Sequence, residues 1–411
     1  MGSPGPSEAQ RQRSLNLLLV NTFIMYAGFF MIIPILAVHY VDGLGWSGLW
    51  IGAVLALRQL TQQGMAPLSG YLSDRYGAKG LICAGMFIRG CGFTLIAFSH
   101  SPAMLFAAML LSGIGGGLFD APEAAMVATL LDESSRRRYY ALVATVSALG
   151  GAVGTQLGVL LLDIDFGLVA LLSASCYFLI GVVSLLTLPR VVTGELLQCE
   201  RNGISRAVRD RPFVLFSGIL LGFWFVSSQF SITLPLRAAD IAGDGVLGLL
   251  FGLNTAITIV FSYPLLRFTE KRFSPRQSVI VGLLVNGVAY VGLAFARNRI
   301  DLLGCVGLIA IGMLIARPGL QSLTVDLSDQ RAIGSYLGVN ALSLGIGGAI
   351  GSIGGGLLYD LGDRFDLAAL PWLVFGGIST LTAFGLARFA TDRRFITEND
   401  PSTIPEQALR V

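Results

Sequence analysis

The chain has 411 residues, of which 54% are hydrophobic and only 13% are charged, and its formal net charge is +3. An ordinary soluble domain carries about 25% charged residues and cannot bury this much apolar surface, so the lipid bilayer is the solvent that fits the composition. The small net charge also excludes the basic footprint of a nucleic-acid-binding protein.

A helix that crosses a bilayer needs about 20 mostly apolar residues. The sequence contains twelve such runs, which predict an all-α integral membrane protein with twelve transmembrane helices. In chain order the runs lie at residues 15–41, 47–69, 80–99, 102–130, 140–161, 167–188, 213–236, 247–268, 278–296, 302–325, 336–358 and 371–390. The connections between them are short, except for one arginine-rich stretch after the sixth run.

That long connection divides the chain into two halves of six helices. We predict one bundle at 15–188 and a second at 213–390, joined by a cytoplasmic linker at 189–212 and flanked by tails at 1–14 and 391–411. With the amino terminus placed inside, 21 lysines and arginines fall on inner segments and 4 on outer loops. Because positive charge is retained on the cytoplasmic side, both termini are predicted to be cytoplasmic.

The two halves resemble each other in sequence. The string GGAVGT at 150–155 recurs as GGAIGS at 347–352, an offset of 197 residues. In the preceding helices Pro122 aligns with Pro318, at an offset of 196. Similar offsets in neighbouring helices predict two pseudo-symmetric bundles that arose from a duplicated six-helix unit. Many secondary transporters have this architecture, with a central site between the halves.

The connection between the second and third predicted helices reads GYLSDRYGAK, at 70–79. Glycine permits a tight turn, and the basic residues suit an inner loop. This G-x-L-x-D-R-x-G-x-K pattern, in this place, resembles the major facilitator superfamily, in which the loop acts as a gating latch that stabilises the outward-facing state. The resemblance assigns that role here to Gly70, Asp74, Arg75, Gly77 and Lys79.

The predicted fifth helix carries a second pattern, with glycines at Gly150, Gly154 and Gly158. It resembles the signature of the drug/proton antiporter branch, in which a proline usually follows the second glycine. Thr155 stands in place of that proline, and Met109 stands where such antiporters often carry an arginine in helix 4. As pure packing, the glycines would let helix 5 approach another helix closely.

The resemblance implies an exporter of the bacterial inner membrane that exchanges amphipathic small molecules for protons. The two departures from the antiporter pattern favour the alternative, a proton-independent uniporter or an importer of a metabolite on the same fold. No GxxxxGK[ST] run is present to support ATP-driven transport. Five scattered cysteines and two histidines give neither a metal site nor a catalytic cluster, so we expect no cofactor and no enzymatic activity.

Five charged residues lie deep in predicted helices: Arg58, Arg89, Asp120, Glu123 and Arg317. A charge that faces lipid costs about 2.5–3.5 kcal/mol on an insertion scale, so these residues must pair or line water. Asp120 and Glu123 are three residues apart and share a helix face. A carboxylate crowded by another carboxylate, yet attracted to an arginine, can take up a proton in one conformation and release it in another.

We therefore predict Asp120 as the main protonatable residue, with Arg58 as its partner and Glu123 as the second choice. The alternative is a permanent salt-bridge cluster that only ties the helices together. Arg317 could hold an anionic substrate or complete a charge pair across the halves.

A central cavity would be lined by helices 1, 4, 7 and 10, as the family resemblance implies. On these helices and their neighbours, the predicted substrate contacts are Asn21, Tyr26, Gln62, Gln156, Trp224, Gln229, Asn254 and Arg317. Aromatic, adaptable walls suit amphipathic ligands. Taken singly, each residue is equally compatible with packing or an interhelical hydrogen bond. The predicted partners are an amphipathic small molecule, protons and lipid, with no nucleic acid, and the chain is expected to be monomeric.

Overall fold

A computed structural model describes residues 8–131, 133–162, 164–189, 203–243, 245–328 and 333–389. Throughout these residues the secondary structure is helical and no strand occurs. The helices are α1 (Glu8–Val38), α2 (Gly48–Tyr76), α3 (Ala78–Ala97), α4 (Pro102–Leu130), α5 (Glu133–Leu162), α6 (Phe166–Thr187), α7 (Gly203–Arg209), α8 (Arg211–Ser228), α9 (Thr233–Ala242), α10 (Val246–Arg272), α11 (Pro275–Phe295), α12 (Arg299–Asp326), α13 (Ile333–Arg364) and α14 (Leu370–Phe389). Most of the predicted linker and tails lies outside the described residues.

Eleven segments of the described chain are long and apolar enough to cross a membrane. One of them, Arg211–Ala242, joins α8 and α9 through a short 3-10 turn at Gln229–Ser231. The twelfth span is α2, which is as long as α4, at 29 residues, and packs against α4 and α13. Its arginine and glutamine side chains make it less apolar than the other eleven. These spans form two six-helix bundles, a first half of α1–α6 and a second half of α8–α14.

Side-chain caps fix where several helices begin. Each cap accepts a hydrogen bond from a backbone N–H of the first turn, which has no partner inside the helix. Ser274 and Gln277 form a reciprocal capping box at the start of α11. The other caps are Ser47 at α2, Ser101 at α4, Asp165 at α6, Asp210 at α8 and Asn298 at α12.

Glycine contacts repeat between the two halves. In the first half Gly154 of α5 lies against the backbone carbonyl of Ala27 in α1, so closely that a Cβ added there would overlap the carbonyl. In the second half Gly351 of α13 lies in the same way against Phe225 of α8. Close approach of two helices requires residues without side chains. The duplicated motif therefore builds the same helix crossing twice.

The crossing of α3 with α4 is repeated by that of α11 with α12. The backbone of Gly85 meets that of Gly115, and the backbone of Gly282 meets that of Gly312. Both glycine pairs are related by an offset of 197 residues. The offset between equivalent glycines in these helices is therefore 197 residues, one more than the offset of 196 between Pro122 and Pro318.

The two bundles meet mainly at one end of the molecule. The backbones of Gly48, at the start of α2, and Gly356, in the last turns of α13, lie in contact. At the same end α5 packs against α10. Towards the other end, a Cβ added at Gly64 or Gly70 of α2, or at Gly338 of α13, would meet no atom within 4 Å. The helices α2 and α13 therefore approach each other less closely towards the end at which α1 begins.

Candidate transport site

Gln62 lies between Asp120 and Arg58. Its Nε2 donates a hydrogen bond to Asp120 Oδ2 at 2.8 Å, and its Oε1 accepts one from Arg58 Nη1 at 2.7 Å. Arg58 and Gln62 are one turn apart on α2, so both side chains reach the face that packs on α4. Arg58, the predicted partner of Asp120, is thus connected to it through the glutamine amide.

Aromatic rings hold the two arginines of the first half. The guanidinium carbons of Arg58 and Arg89 lie 4.7 Å and 5.1 Å from the centre of the Phe29 ring. Arg89, only 3% exposed, also lies 5.2 Å from the ring of Tyr177. A desolvated cation–π contact contributes roughly 2 kcal/mol. Among the described residues the contacts of these two arginines are with amides and aromatic rings.

Glu123 lies on α4 one turn beyond Asp120 and is half-buried. Its Oε1 is 3.1 Å from Thr22 Oγ1 of α1, and the same hydroxyl lies 2.8 Å from the carbonyl oxygen of Leu18. A hydroxyl has one proton to donate. When Thr22 gives that proton to the Leu18 carbonyl, its oxygen can accept a proton from a neutral Glu123.

Asp120 and Arg317 occupy equivalent positions in the two halves. They are related by the same offset of 197 as the glycine crossings, and each lies 18 residues after the first residue of its helix. Both side chains are exposed although they lie deep within spanning helices. Tyr26 of α1 is within electrostatic reach of both charges. These three residues therefore link α4 and α1 of the first half with α12 of the second through their charges.

Two further predicted contacts have partly accessible side chains. Trp224 of α8 is half-buried, packs edge-on against Phe223 at 4.9 Å, and leaves its indole N–H without a hydrogen bond. Asn254 of α10 is half-buried. Tyr26 itself is half-buried and stacks on Phe30, with the ring centres 6.2 Å apart.

Three predicted cavity residues hold helices together instead. Asn21 is fully buried and donates to Ser184 Oγ of α6 at 2.7 Å. Gln229 is also fully buried and donates to the carbonyl oxygen of Gly351 at 2.9 Å. Gln156 donates to a backbone carbonyl of α10, across the halves, at the closed end. Their role as substrate contacts stays a prediction, and in this structure each amide takes part in an interhelical hydrogen bond.

Comparison with known proteins identifies the family. The model of the Major Facilitator Superfamily matches residues 18–351 and 238–408. The chain belongs to the major facilitator superfamily. Among its relatives, the Multidrug resistance protein MdtH of Klebsiella pneumoniae (strain 342) is 35% identical over 383 residues, covering 92% of this chain and 95% of the relative. MdtH of Cronobacter sakazakii is 36% identical over 379 residues, covering 92% and 94%.

Solved structures share the fold of this superfamily. A POT family transporter in complex with 5-aminolevulinic acid superimposes with a TM-score of 0.78 at 15% identity, covering 92% of this chain and 96% of that one. The nucleoside transporter NupG gives a TM-score of 0.74 at 13% identity, covering 91% and 98%. At such identities the likeness shows the fold alone. Membership of the superfamily makes the chain a multi-pass membrane transporter of small molecules rather than an enzyme.

The superfamily motif at 70–79 is helical over most of its length. The helix α2 continues through Gly70 to Tyr76, and the connection to α3 is the single residue Gly77, whose φ of 85° favours glycine. The prediction of a loop beginning after residue 69 is corrected accordingly. Arg75 contacts Tyr71 and the ring of Tyr76, both on its own helix. Lys79 lies in the first turn of α3, half-buried, and the side chain of Asp74 is outside the described part.

The glycines of the antiporter-like motif pack α5 on α1. Gly150, Gly154 and Gly158 each lie against an α1 carbonyl. Thr155, in place of the proline, donates to the carbonyl oxygen of Gly151 at 2.9 Å, and α5 runs unbroken to Leu162. A proline would have removed a backbone donor and kinked the helix.

Sequence reasoning missed two participants. Phe29 contacts both arginines, but no local pattern marks a phenylalanine that meets charges from two other helices. Asp360, near the end of α13, accepts hydrogen bonds from the start of α2. Its place in the repeat was a usable signal, because the duplicated motif ends on an aspartate at 163 and again at 360.

Proposed function

We propose that the chain is a secondary active exporter that exchanges amphipathic small molecules for protons by alternating access. The observation that carries the proposal is the carboxylate of Asp120, exposed between the halves and connected through Gln62 to Arg58. Relatives at about 35% identity that bear the name Multidrug resistance protein support export of varied compounds.

The polar network is built to accommodate a change in proton occupancy. An ionised Asp120 accepts the amide N–H of Gln62, while a protonated Asp120 can instead donate to the amide oxygen once that amide turns over. Arg58 keeps a second acceptor in Gln59 Oε1, at 3.0 Å, and the Phe29 ring while the amide changes partner. Arg58 therefore keeps one hydrogen-bond acceptor and its aromatic contact when the carboxyl group gains its proton.

Glu123 is the second site for a proton. Its contact with Thr22 can be satisfied by a neutral carboxyl group, since the threonine hydroxyl has its own acceptor in the Leu18 carbonyl. Two carboxyl groups one helical turn apart repel when both are ionised. A single proton shared between Asp120 and Glu123 relieves that repulsion.

We propose that both termini face the cytoplasm of a bacterial cell and that the protein resides in the inner membrane as a monomer. The distribution of 21 basic residues on one side against 4 on the other supports this orientation. The closed end of the molecule then faces outward and the cavity opens inward. In this state an exporter would load its substrate from the cytoplasm or the inner leaflet.

The test is proton flux in proteoliposomes with an imposed pH gradient. A substrate panel added to the wild type is expected to release protons across the membrane in proportion to uptake of substrate. Asp120→Asn should abolish this flux, and Glu123→Gln should reduce it. Asp301→Asn, in the first turn of α12, is the matched control and should leave the proton flux intact. Undiminished substrate-dependent flux in both Asp120→Asn and Glu123→Gln would contradict the assignment.

The alternative is a proton-independent uniporter or importer of a metabolite. Thr155 and Met109 favour it, because both depart from the antiporter pattern. The POT family transporter and the nucleoside transporter that share the fold are compatible with it. Counterflow of labelled substrate at equal pH on both sides, with a rate that does not change between pH 6 and pH 8, would select this alternative.

A further inference from the structure

We infer that Arg317 is the anchor for an anionic group of the substrate, so that the cavity takes compounds with an apolar body and one carboxylate or sulfonate. This inference rests on the proposed transport function and names its substrate class. It concerns the second half of the protein, whereas the proposed coupling concerns the first.

Arg317 differs from the other deep arginines in having no partner among the described residues. Arg58 has two amide acceptors and an aromatic ring, and Arg89 has two rings. For Arg317 the described chain provides neither a hydrogen bond nor a ring contact, and its electrostatic neighbour there is Tyr26. A guanidinium group carries five N–H donors in a planar fork that fits a carboxylate in a bidentate way.

The charge balance around the cavity leaves Arg317 uncompensated. In the first half two arginines stand beside two carboxyl groups at similar depth, which balance when all are ionised. Among the described residues of the second half, the acidic side chains lie at or near helix ends, as Asp301 and Asp326 do on α12 itself. A lone charge at membrane depth is costly unless it is paired or faces water. An anion that enters the cavity supplies the missing partner.

The cavity is suited to an apolar body beside that anion. Tyr26 of α1, the electrostatic neighbour of Arg317, stacks on Phe30, and both rings are half-buried. Aromatic walls accommodate flat or irregular apolar groups without demanding one shape. The charges of the first half balance, so an anion is attracted more strongly to the uncompensated charge of the second half. The ligand is therefore oriented with its charge towards α12.

The experiment compares two probes with the same ring system and opposite charge, 2-naphthoate and 2-naphthylmethylammonium. Binding is measured by isothermal titration calorimetry on the full chain in lipid nanodiscs, with empty nanodiscs as the blank. The wild type is expected to bind naphthoate at least tenfold more tightly than the cation. Arg317→Gln should weaken naphthoate binding at least tenfold and leave cation binding unchanged or stronger, whereas Arg317→Lys should retain most of the preference.

Arg299→Gln, at the exposed start of the same helix, is the matched control and should bind as the wild type does. A wild type without preference for the anion overturns the inference, and so does an Arg317→Gln variant that loses both probes equally or neither. Because no gradient is applied, the result does not depend on proton coupling. Naphthoate binding without proton exchange would refute the proposed antiport alone, and proton exchange without an Arg317-dependent preference would refute this inference alone.

Discussion

The carboxylate of Asp360 accepts a hydrogen bond from the backbone N–H of Gly48, with 2.7 Å between oxygen and nitrogen. Its other oxygen accepts the N–H of Leu49 at 2.9 Å and contacts the hydroxyl of Ser47. A residue of the second half thus caps a helix of the first, where the positive end of the helix dipole favours a negative charge. This contact joins the bundles at the closed end of the molecule.

We expect Asp360→Ala to shift the protein towards conformations in which that end is open. A helix cap contributes about 0.5–2 kcal/mol, which corresponds to a change of roughly 2- to 30-fold in the conformational equilibrium. Spin labels at the exposed positions Leu44 and Phe365, in a cysteine-free background, would report the change as a population at longer distance. Asp301→Ala, whose contacts stay within its own half, should leave the distribution unchanged. An identical distribution in Asp360→Ala would show that the cap does not hold the bundles together.

Removing the bridging amide should uncouple transport from the pH gradient. Gln62→Leu leaves Asp120 without its donor and Arg58 without one of its acceptors, and a hydrogen bond to a charged group contributes about 1.5–3 kcal/mol. We expect proton-linked transport in proteoliposomes to fall at least tenfold. Gln59→Leu removes the other amide on Arg58 but preserves the link to Asp120, so its effect should be clearly smaller. Equal effects of the two variants would argue against the bridge.

The ring of Phe29 should be required for stability and not merely fill space. Phe29→Leu removes the aromatic face over which Arg58 and Arg89 lie, at about 0.5–2 kcal/mol for each contact. We expect a lower unfolding temperature in detergent, with Phe29→Trp close to the wild type. Phe30→Leu removes the neighbouring ring, which has no described contact with an arginine, and should cost less. A Phe29→Leu protein as stable as Phe30→Leu would show that the contacts contribute nothing.

The glycine crossing of α5 on α1 should not tolerate a side chain. A Cβ at Gly154 would overlap the carbonyl group of Ala27, and overpacking of this kind costs about 1–3 kcal/mol. We expect Gly154→Ala to lower the unfolding temperature. Gly218→Ala, on α8, adds a methyl group where no atom lies within 4 Å and should behave as the wild type. Similar melting of both variants would contradict the crossing.

Local patterns were sufficient to predict the spans and the duplication. Hydropathy is summed over neighbouring residues, and the repeat is found by comparing the chain with itself. Neither requires knowledge of which distant residues are in contact. The site depended on helix rotation and packing, which hydropathy does not encode. Arg58 and Asp120 were correctly singled out as deep charges, but Gln62 enters between them only because one turn of α2 faces α4. Asn21 and Gln229 are polar residues on spanning helices, as the other cavity candidates are. Only the rotation of their helices buries them between neighbouring helices.

The matched positions of Asp120 and Arg317 bear on the ancestry of the chain. A homodimer of the first bundle would carry a carboxylate at both matched positions, and a homodimer of the second would carry a guanidinium group at both. Only the joined chain places one of each at these positions. A chimaera that repeats either bundle would therefore change the balance of charge at this depth.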